Sequence, residues 1–331
     1  MDQVKHVALF GGTGLLGSAV VEALLARNDQ FELTLFTRSS STHEIQAKAR
    51  VAAIESFHDI SEGSTLVQCL RGHDVLVSTL NSAVAVELEP KLVAAAIQAG
   101  VKHFLPSEYT LDVTHPAARV LGNANMLGAR ASWADKLAMI ASSGQITYTT
   151  LVTGGFLDWG IKSGMLGFDL AQHAATLYDG GQHKVTACTV SFVAKAILTA
   201  LRMPTEKTAN KRLYVAEVEY SGEELLRTIE LASGGKWSVT QLGTESAKEN
   251  GMKLQAQGNM RGAYLNLARA LNTSTDAELH TSDLDWSSAR KSTFNGAAFS
   301  TLFEVLLMRI KHRMDTSVLE DCHDTTVGPI I

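Results

Sequence analysis

The chain is poor in cysteine, and its three cysteines lie far apart in the sequence. Cys69, Cys188 and Cys322 form no C-x-x-C pair, which argues against a disulfide framework or a thiolate zinc site and suits a reducing compartment. Two other sequence signatures are missing, the H-E-x-x-H of zinc proteases and the G-x-S-x-G of serine hydrolases. The sequence therefore predicts no metal site and no hydrolase chemistry.

Charge runs and long apolar segments are also missing. Lysine and arginine are scattered, and a formal net charge of −5 is small for 331 residues, so we expect no nucleic-acid partner. No apolar run reaches the ~20 residues that cross a bilayer, so we expect no membrane association. The first six residues lead directly into an apolar strand and leave no room for a signal peptide. We therefore expect a cytoplasmic protein.

Short apolar strands alternate with helical patterns along the first half of the chain. The strands are predicted at residues 7–10, 31–36, 74–80, 101–105 and 146–152. Such alternation is typical of βαβ units around a parallel sheet. In the helix before the fourth of these strands, Pro90 is expected in the first turn and Gly100 at the end. We predict an α/β fold: a Rossmann-type, doubly wound parallel sheet with a smaller C-terminal α/β substrate lobe.

The length of the chain favours two unequal lobes. We place the first domain in residues 1–155 and the substrate lobe in residues 156–331, and part of residues 176–205 is expected to pack back on the first domain. Within the second half, a helix is predicted at about residues 191–203. A capping box at Ser221 predicts the start of another helix, and an amphipathic pattern predicts a C-terminal helix at residues 300–313.

A G-x-x-G-x-x-G sequence at residues 11–17 follows the first strand and opens a helix. Gly11 allows a tight turn, Gly14 allows the backbone to approach a pyrophosphate, and Gly17 lets the helix pack on the strand. The alternative is a glycine-rich turn without a ligand. Because strand, loop and helix agree, we predict that the loop binds a dinucleotide. The residues predicted to contact it are Gly11, Thr13, Gly14, Leu15, Leu16 and Gly17.

The second strand ends in Thr37-Arg38-Ser39, without an acidic residue. NAD-selective sites usually place Asp or Glu here to bind the ribose 2′-hydroxyl. A carboxylate would repel a 2′-phosphate, whereas a guanidinium binds one through several donors. Arg38 could instead be a solvated residue at a strand end. We predict NADP(H) as the cofactor, with Arg38 and Ser39 at its 2′-phosphate.

The glycine loop and three later segments resemble the NmrA-like and isoflavone-reductase-like family of atypical short-chain dehydrogenases. These segments are V-S-T-L at 77–80, A-G-V-K-H-F-L-P-S-E-Y at 99–109 and I-T-Y-T at 146–149; T-G-G-F-L-D-W-G at 153–160 is similar to members from fungal secondary metabolism. The resemblance covers about the first half of the chain. It implies cofactor contacts from Thr79, Leu80, Asn81, Ser107, Thr153, Gly154, Gly155 and Phe156. Glu108 is expected to border the active site or to cap a helix, and Phe156 could equally belong to the core.

The proton donor is where this sequence departs from the pattern of the resembled family. Short-chain dehydrogenases use Tyr-x-x-x-Lys, and no tyrosine of this chain has a lysine four positions later. Reductases of the resembled family instead use a lysine on the helix before the I-x-Y-T strand. Lys136 is the lysine on that helix, but counting back from Ile146 leads to Ala134, which faces another direction. Lys136 could therefore be a surface residue. Other candidates are Glu108, Tyr109, His115 and Asp158, or no protic step is needed.

These features predict an NADPH-dependent reductase of an apolar small molecule, a specialised metabolite carrying a C=N, C=C or C=O bond. The catalytic candidates are Lys136, Glu108 and Tyr109, and the residues expected on the substrate side are Trp159, Asp158, Met165 and Phe168. Two alternatives stay open: an NADP(H)-dependent redox-neutral cyclase or isomerase, and an NmrA-like regulator that senses NADP(H) without catalysis. A homodimer is compatible with the sequence.

Overall fold

The computed structural model describes residues 4–38, 49–119 and 126–273. Ser39, the helix predicted at residues 300–313 and the rest of residues 274–331 lie outside this part of the chain. The strands are β1 His6–Phe10, β2 Glu32–Arg38, β3 Arg50–Ile54, β4 Val75–Ser78, β5 His103–Leu105, β6 Thr147–Val152, β7 Gly155–Phe156, β8 Phe168–Asp169, β9 Ala174–Tyr178, β10 Lys184–Cys188, β11 Lys211–Tyr214, β12 Val218–Ser221 and β13 Ser238–Leu242. The helices are α1 Leu15–Leu25, α2 Thr65–Leu70, α3 Ser82–Ala99, α4 Pro116–Arg119, α5 Met126–Ser142, α6 Leu157–Lys162, α7 Val190–Arg202, α8 Thr205–Thr208, α9 Gly222–Ser233, α10 Thr244–Ala256 and α11 Met260–Thr273.

A seven-stranded parallel sheet forms the centre of the molecule, in the order β11-β6-β5-β4-β1-β2-β3. The chain runs from β1 outward to β2 and β3, then returns to the other side of β1 for β4, β5 and β6. This reversal places a crevice at the carboxyl ends of β1 and β4, where ligands of doubly wound folds bind. The Rossmann-type fold predicted from the sequence is confirmed.

Helices cover both faces of this sheet, as the continuous apolar strands require. Helices α1 and α7 pack on one face around Leu9, Leu35 and Val75. Helices α2, α3 and α5 pack on the other face around Phe10 and Phe104. Helix α7 comes from the second half of the chain but lies against α1, and β11 pairs with β6. Strand β11 therefore also packs against the first domain, although the sequence predicted this only for part of residues 176–205.

A smaller lobe contains two three-stranded sheets, β12-β10-β7 and β13-β9-β8, together with helix α9 and the hairpin of α10 and α11. Two local predictions in this half are confirmed. Helix α7 spans the residues predicted from periodicity, and the Thr189 side chain caps it. At α9 the Ser221 side chain accepts from the Glu224 N–H, and the Glu224 carboxylate accepts from the Ser221 N–H at 2.9 Å, which is a complete capping box.

The prediction for Pro90 is wrong. Helix α3 begins at Ser82, where the Asn81 side chain accepts from the Val84 N–H at 3.1 Å, and Pro90 lies inside the helix. The Asn81 cap sets the start of the helix, and the proline costs it one backbone hydrogen bond. Gly100 ends the helix in the left-handed conformation, as predicted, with φ 84°.

Candidate functional site

A cavity of about 800 Å³ opens at the carboxyl ends of the central strands and continues into the smaller lobe. On the sheet side it is lined by residues 11–16 after β1, residues 36–38 at the end of β2 and residues 79–82 after β4. On the other side it is lined by residues 154–156 and by the β8 and β9 region. The cavity therefore joins the topological crevice of the sheet to the second lobe.

The glycine loop is packed too closely to carry side chains. Gly11 has φ +80°, and a Cβ built there would lie 2.8 Å from the carbonyl carbon of Thr79. A Cβ at Gly17 would lie 2.0 Å from the carbonyl oxygen of Gly11. Gly17 does not line the cavity; its role is to bring α1 against the loop. At Gly11, Gly12 and Gly14 no side chain stands between the loop backbone and the cavity.

Helix α1 presents its N-terminus to this loop. Its cap residue is Gly14, no side chain caps the first turn, and that turn contains no acidic residue. The first backbone N–H groups of the helix and its positive dipole end therefore suit an anionic group. Thr13, Leu15 and Leu16 complete the lining beside it. The residues present here fit the diphosphate of a dinucleotide.

The end of β2 forms the opposite wall of this part of the cavity. Arg38 is exposed there and lines the cavity. Beside it, the Thr37 Oγ1 is buried and has no hydrogen-bond partner within the described ranges. A buried hydroxyl without a partner is costly, and a bound polar ligand would satisfy it. Among the lining residues that the structure describes there is no Asp or Glu, so this wall fits a phosphate.

Hydrogen bonds hold the loops after β4 and β5 together. The Thr79 hydroxyl donates to the Phe10 carbonyl at 2.9 Å, and the Ser107 hydroxyl donates to the Leu80 carbonyl at 2.6 Å. Thr79, Leu80, Asn81 and Ser107 all line the cavity, although the Asn81 side chain also caps α3. This network fixes the floor of the cavity between the two strands.

Arg130 on α5 was not predicted and lies almost fully buried in the cavity wall. Its guanidinium donates to the Ser82 Oγ at 2.8 Å and to the Ser107 carbonyl. Behind it, Glu89 accepts from the Trp133 Nε1 at 2.7 Å, and burial raises the pKa of that carboxyl. The sequence signal for this residue was its position on the apolar face of α5, where Arg130 lies among the buried residues Leu127, Ala131 and Ala134.

Lys136 does not reach the cavity. Leu127 and Arg130 are the α5 residues that line it, whereas the Lys136 side chain is exposed. At about 100° per residue, Lys136 lies about 240° around the helix from Arg130 and so faces solvent. Ala134, the position reached by counting back from Ile146, is buried. The expectation that Lys136 approaches the nicotinamide is corrected by this geometry.

Glu108 is also placed away from the cavity lining. Its carboxylate pairs with Arg212 of β11, and the same guanidinium contacts Asp112 at 2.8 Å. Tyr214 donates its hydroxyl to Asp112 at 2.6 Å. This buried network ties β11 to the loop after β5. Glu108 itself does not line the cavity, although Ser107 and Tyr109 on either side of it do, and its carboxylate pairs with Arg212 rather than capping a helix.

Asp158 and Thr153 lie next to the cavity without lining it. The Asp158 carboxylate accepts from the Val190 N–H at 3.2 Å, at the start of α7. Thr153 is fully buried, and its N–H donates to the Thr110 carbonyl at 3.0 Å. Neither residue is among the lining residues, although the sequence predicted this for both: the Asp158 carboxylate contacts the start of α7, and Thr153 joins the loops after β6 and β5.

Tyr109 is the catalytic candidate that does line the cavity. It is 8% exposed, and its hydroxyl has no hydrogen-bond partner among the residues the structure describes. Burial raises the pKa of this phenol, and the nearby Glu89 carboxyl raises it further. The hydroxyl is protonated at neutral pH, as it is in an unperturbed tyrosine, and it can donate a hydrogen bond to a ligand.

The smaller lobe supplies a largely apolar wall. Phe156, Trp159, Met165 and Phe168 line the cavity together with Leu166. Gly154 and Gly155 precede them, and a Cβ at Gly154 would lie 2.3 Å from the Thr186 carbonyl, so the chain must pass here without a side chain. Residues from later segments were missed because the sequence pattern is weak there; they include Tyr178, His183, Tyr220, Tyr264 and Arg269.

The part of the chain that the structure describes holds neither a cluster of metal ligands nor a membrane-spanning helix. No group of three or more His, Cys, Asp and Glu side chains is arranged to hold a metal ion. No helix in those ranges combines the length and apolar character that crossing a membrane demands.

The model of the NmrA-like family matches residues 3–129. The N-terminal part of this chain is therefore similar to the NmrA-like family. An oxidoreductase named aprR from Aspergillus flavus is 29% identical over 77% of this chain and 83% of its own. A solved isoflavone reductase matches with a TM-score of 0.68 at 18% identity, over 91% of this chain and 99% of its own. A leucoanthocyanidin reductase in complex with NADPH, from Vitis vinifera, matches with a TM-score of 0.68 at 16% identity, over 92% and 99%. The resemblance read from the sequence is confirmed, and the two solved structures support the fold.

Proposed function

We propose that this NmrA-like chain is an NADPH-dependent oxidoreductase that reduces a small, largely apolar metabolite. One observation carries the proposal: a single cavity extends from the glycine loop and Arg38 to the aromatic wall of the smaller lobe. A dinucleotide at the loop and an apolar molecule at the wall would share this space. The name of the relative aprR, an oxidoreductase, and the NADPH complex of the leucoanthocyanidin reductase support the same reaction class.

Separate groups of cavity residues are assigned to the cofactor and to the substrate. In this proposal Gly11, Gly14 and the start of α1 bind the diphosphate, and Arg38 binds a 2′-phosphate. Thr79, Leu80, Asn81, Ser107 and residues 154–156 lie along the rest of the cofactor. Bound NADPH supplies a hydride. Trp159, Met165 and Phe168 exclude water from the substrate and hold it against the cofactor.

Tyr109 is the proposed proton donor. Lys136, Glu108 and Asp158 do not line the cavity, whereas Tyr109 does, and its hydroxyl has no hydrogen-bond partner among the described residues. A ketone or enone needs such a donor when the hydride arrives. An iminium carbon is already cationic and needs none, so the requirement for Tyr109 depends on the substrate.

The test is a panel of ketones, enones and imines incubated with the purified chain and NADPH. Consumption of NADPH with formation of a reduced product supports the reductase. Conversion of a compound without net loss of NADPH would replace the reductase proposal with the redox-neutral cyclase or isomerase. The absence of lysine from the described lining favours this alternative. Binding of NADPH without turnover of any compound would favour an NADP(H)-sensing regulator.

A further inference from the structure

Arg130 is the basic side chain of α5 that lines the cavity. It is 6% exposed, whereas Lys136, the other basic residue of this helix, faces solvent. The Arg130 guanidinium donates to the Ser82 Oγ at 2.8 Å and to the Ser107 carbonyl, which ties it to the segments after β4 and β5. The division of cavity residues between cofactor and substrate leaves this buried cation without a role.

The partners that Arg130 bonds in the described ranges are neutral, since they are a hydroxyl and a carbonyl oxygen. Glu89 is the nearby carboxyl; burial raises its pKa, and the guanidinium opposes that shift only in part. The two oxygens of Glu89 accept from the Ser107 N–H and the Trp133 Nε1, each at 2.7 Å, rather than from the guanidinium. The cavity wall therefore carries a guanidinium that is positioned by neutral groups.

Arg130 lies between the two parts of the cavity. Its two hydrogen-bond partners belong to the segments that form the cavity floor, where the cofactor is proposed to lie. Almost one turn earlier on α5, Leu127 also lines the cavity, and it belongs to an apolar cluster with Leu111 and with Leu267 of α11. Tyr264 of α11 packs against that cluster and lines the cavity as well. The guanidinium is thus placed where the cofactor floor meets side chains of the smaller lobe, and the reacting bond of a substrate belongs at this junction.

A guanidinium at the reacting bond acts through charge and hydrogen bonds, because it keeps its proton in proteins. When hydride adds to the carbonyl carbon of a ketone or to the β-carbon of an enone, the displaced π electrons move to the oxygen. The oxygen becomes an alkoxide or enolate, which a positioned cation stabilises, and a proton then completes the reduction. An iminium ion already carries a positive charge, so the same cation opposes its binding. No Asp or Glu of the described lining offsets this repulsion.

We propose that Arg130 contacts the carbonyl oxygen of a neutral ketone or enone and stabilises the negative charge that hydride addition places on it. The inference rests on the proposed function, because it needs a hydride donor at the cavity floor. It narrows the substrate class to C=O bonds and to C=C bonds conjugated with a carbonyl. Tyr109 keeps its proposed role as proton donor.

The first experiment measures binding without turnover, using the full chain saturated with NADP⁺. The probe is 6-nitro-2-naphthol, an acidic phenol whose neutral and ionised forms differ in absorbance and whose ionised oxygen resembles an enolate. We expect the native chain to lower the pKa of the bound probe by at least about one unit, which is about a tenfold preference for the ionised form. Equal or tighter binding of the neutral form, or no binding of either form, would overturn the proposal without any variant.

Two variants assign the effect to Arg130. Arg130→Met keeps a long side chain without the charge and should abolish the pKa shift of the bound probe, whereas Arg130→Lys keeps the charge and should retain at least about half of it. Arg227→Met, on the exposed face of α9, is the matched control and should behave as the native chain does. An unchanged shift in Arg130→Met, or its complete loss in a folded Arg130→Lys, would contradict the assignment.

Turnover of chalcone, an enone, provides the second readout. We expect kcat to fall about a hundredfold in Arg130→Met, since that is the usual effect of removing one donor to a developing oxyanion. Calorimetry should find the NADPH affinity of this variant within about twofold of the native value. A large loss of NADPH affinity would assign Arg130 to the cofactor and overturn the inference alone. Failure of the native chain to bind NADPH would instead overturn the proposed function.

Discussion

Single side chains decide which chemistry this cavity can support. The predicted donor Lys136 is exposed, whereas Tyr109 lines the cavity with a buried hydroxyl that lacks a partner among the described residues. Two positions on a helix correspond to about 200° of rotation, so a small difference in register is enough to remove a lysine from a site. Of the three catalytic candidates, Tyr109 is therefore the one whose side chain lines the cavity.

Tyr109→Phe tests the phenol directly. We expect kcat for a ketone or enone to fall on the order of a hundredfold, because a positioned proton donor contributes at least that much, while the affinity for NADPH stays unchanged. An iminium substrate should be reduced at the native rate. Tyr148→Phe, a half-buried tyrosine outside the lining, is the control. An equal loss on all three substrate types would contradict proton donation and indicate a packing role.

His103 makes stability depend on pH. It is 6% exposed in β5, with its ring nitrogens against the hydroxyls of Thr147 and Thr149, and burial lowers its pKa from 6.5 to about 4. The unfolded chain binds a proton below 6.5, but the folded chain does so only near 4. The stabilisation is therefore complete above pH 6.5 and is lost as pH falls toward 4, a change of about 3 kcal/mol.

The His103→Gln variant checks this dependence by denaturant unfolding at about pH 7 and about pH 5. The difference in unfolding free energy between the two conditions should shrink by about 2 kcal/mol relative to the native chain. His6→Gln, a partly exposed histidine of β1, should retain the native difference. An unchanged difference in the His103 variant would show that this residue titrates normally in the folded state.

At the scale of elements, the unit formed by β1, the glycine loop and α1 depends on contact between backbones. The Gly17→Ala substitution places a methyl group 2.0 Å from the Gly11 carbonyl oxygen, so α1 must move away from the loop. We expect a loss of about 1–3 kcal/mol of stability and a large loss of NADPH affinity. Gly63→Ala, which meets no atom within 4 Å, is the control and should be neutral in both assays.

Local patterns predicted some elements and missed others for physical reasons. Strands β1, β2, β4, β5 and β6 are apolar because they are buried on both faces, so their sequences identify them. Strand β3 is an edge strand with largely accessible residues, and it has no such pattern. The Ser221 capping box is also local and was recognised. The start of α3 was predicted near Pro90, whereas the Asn81 side chain caps a helix that begins at Ser82, eight residues before Pro90.

The residues of the candidate site show the same division between local sequence patterns and long-range packing. The glycine loop and Arg38 lie on consecutive elements, so topology alone brings them to one crevice. Arg269, Tyr178 and Tyr220 come from α11, β9 and β12, and only tertiary packing brings them together. Glu108 belongs to a segment that resembles the active-site border of the family, but its partner Arg212 comes from a strand far along the chain. No local pattern contains that pairing.

The whole molecule is organised around one shared space rather than two separate lobes. Helix α7 and strand β11 return from the second half to complete the central sheet and its cover, while α11 packs near the loop after β5 and reaches the substrate end of the cavity. Cofactor and substrate would therefore be held by elements from both halves of the chain. Binding at the glycine loop should stabilise the folded chain by mass action.

The central claim is that a phosphorylated dinucleotide binds at the glycine loop with Arg38 on its 2′-phosphate. Calorimetric titration of the native chain and of Arg38→Ala with NADPH and NADH tests it most directly. We expect the native chain to prefer NADPH, and Arg38→Ala to lose at least about tenfold in NADPH affinity with little change for NADH, because one charge-assisted phosphate contact is removed. Equal losses for both dinucleotides, or no binding of NADPH by the native chain, would contradict the account.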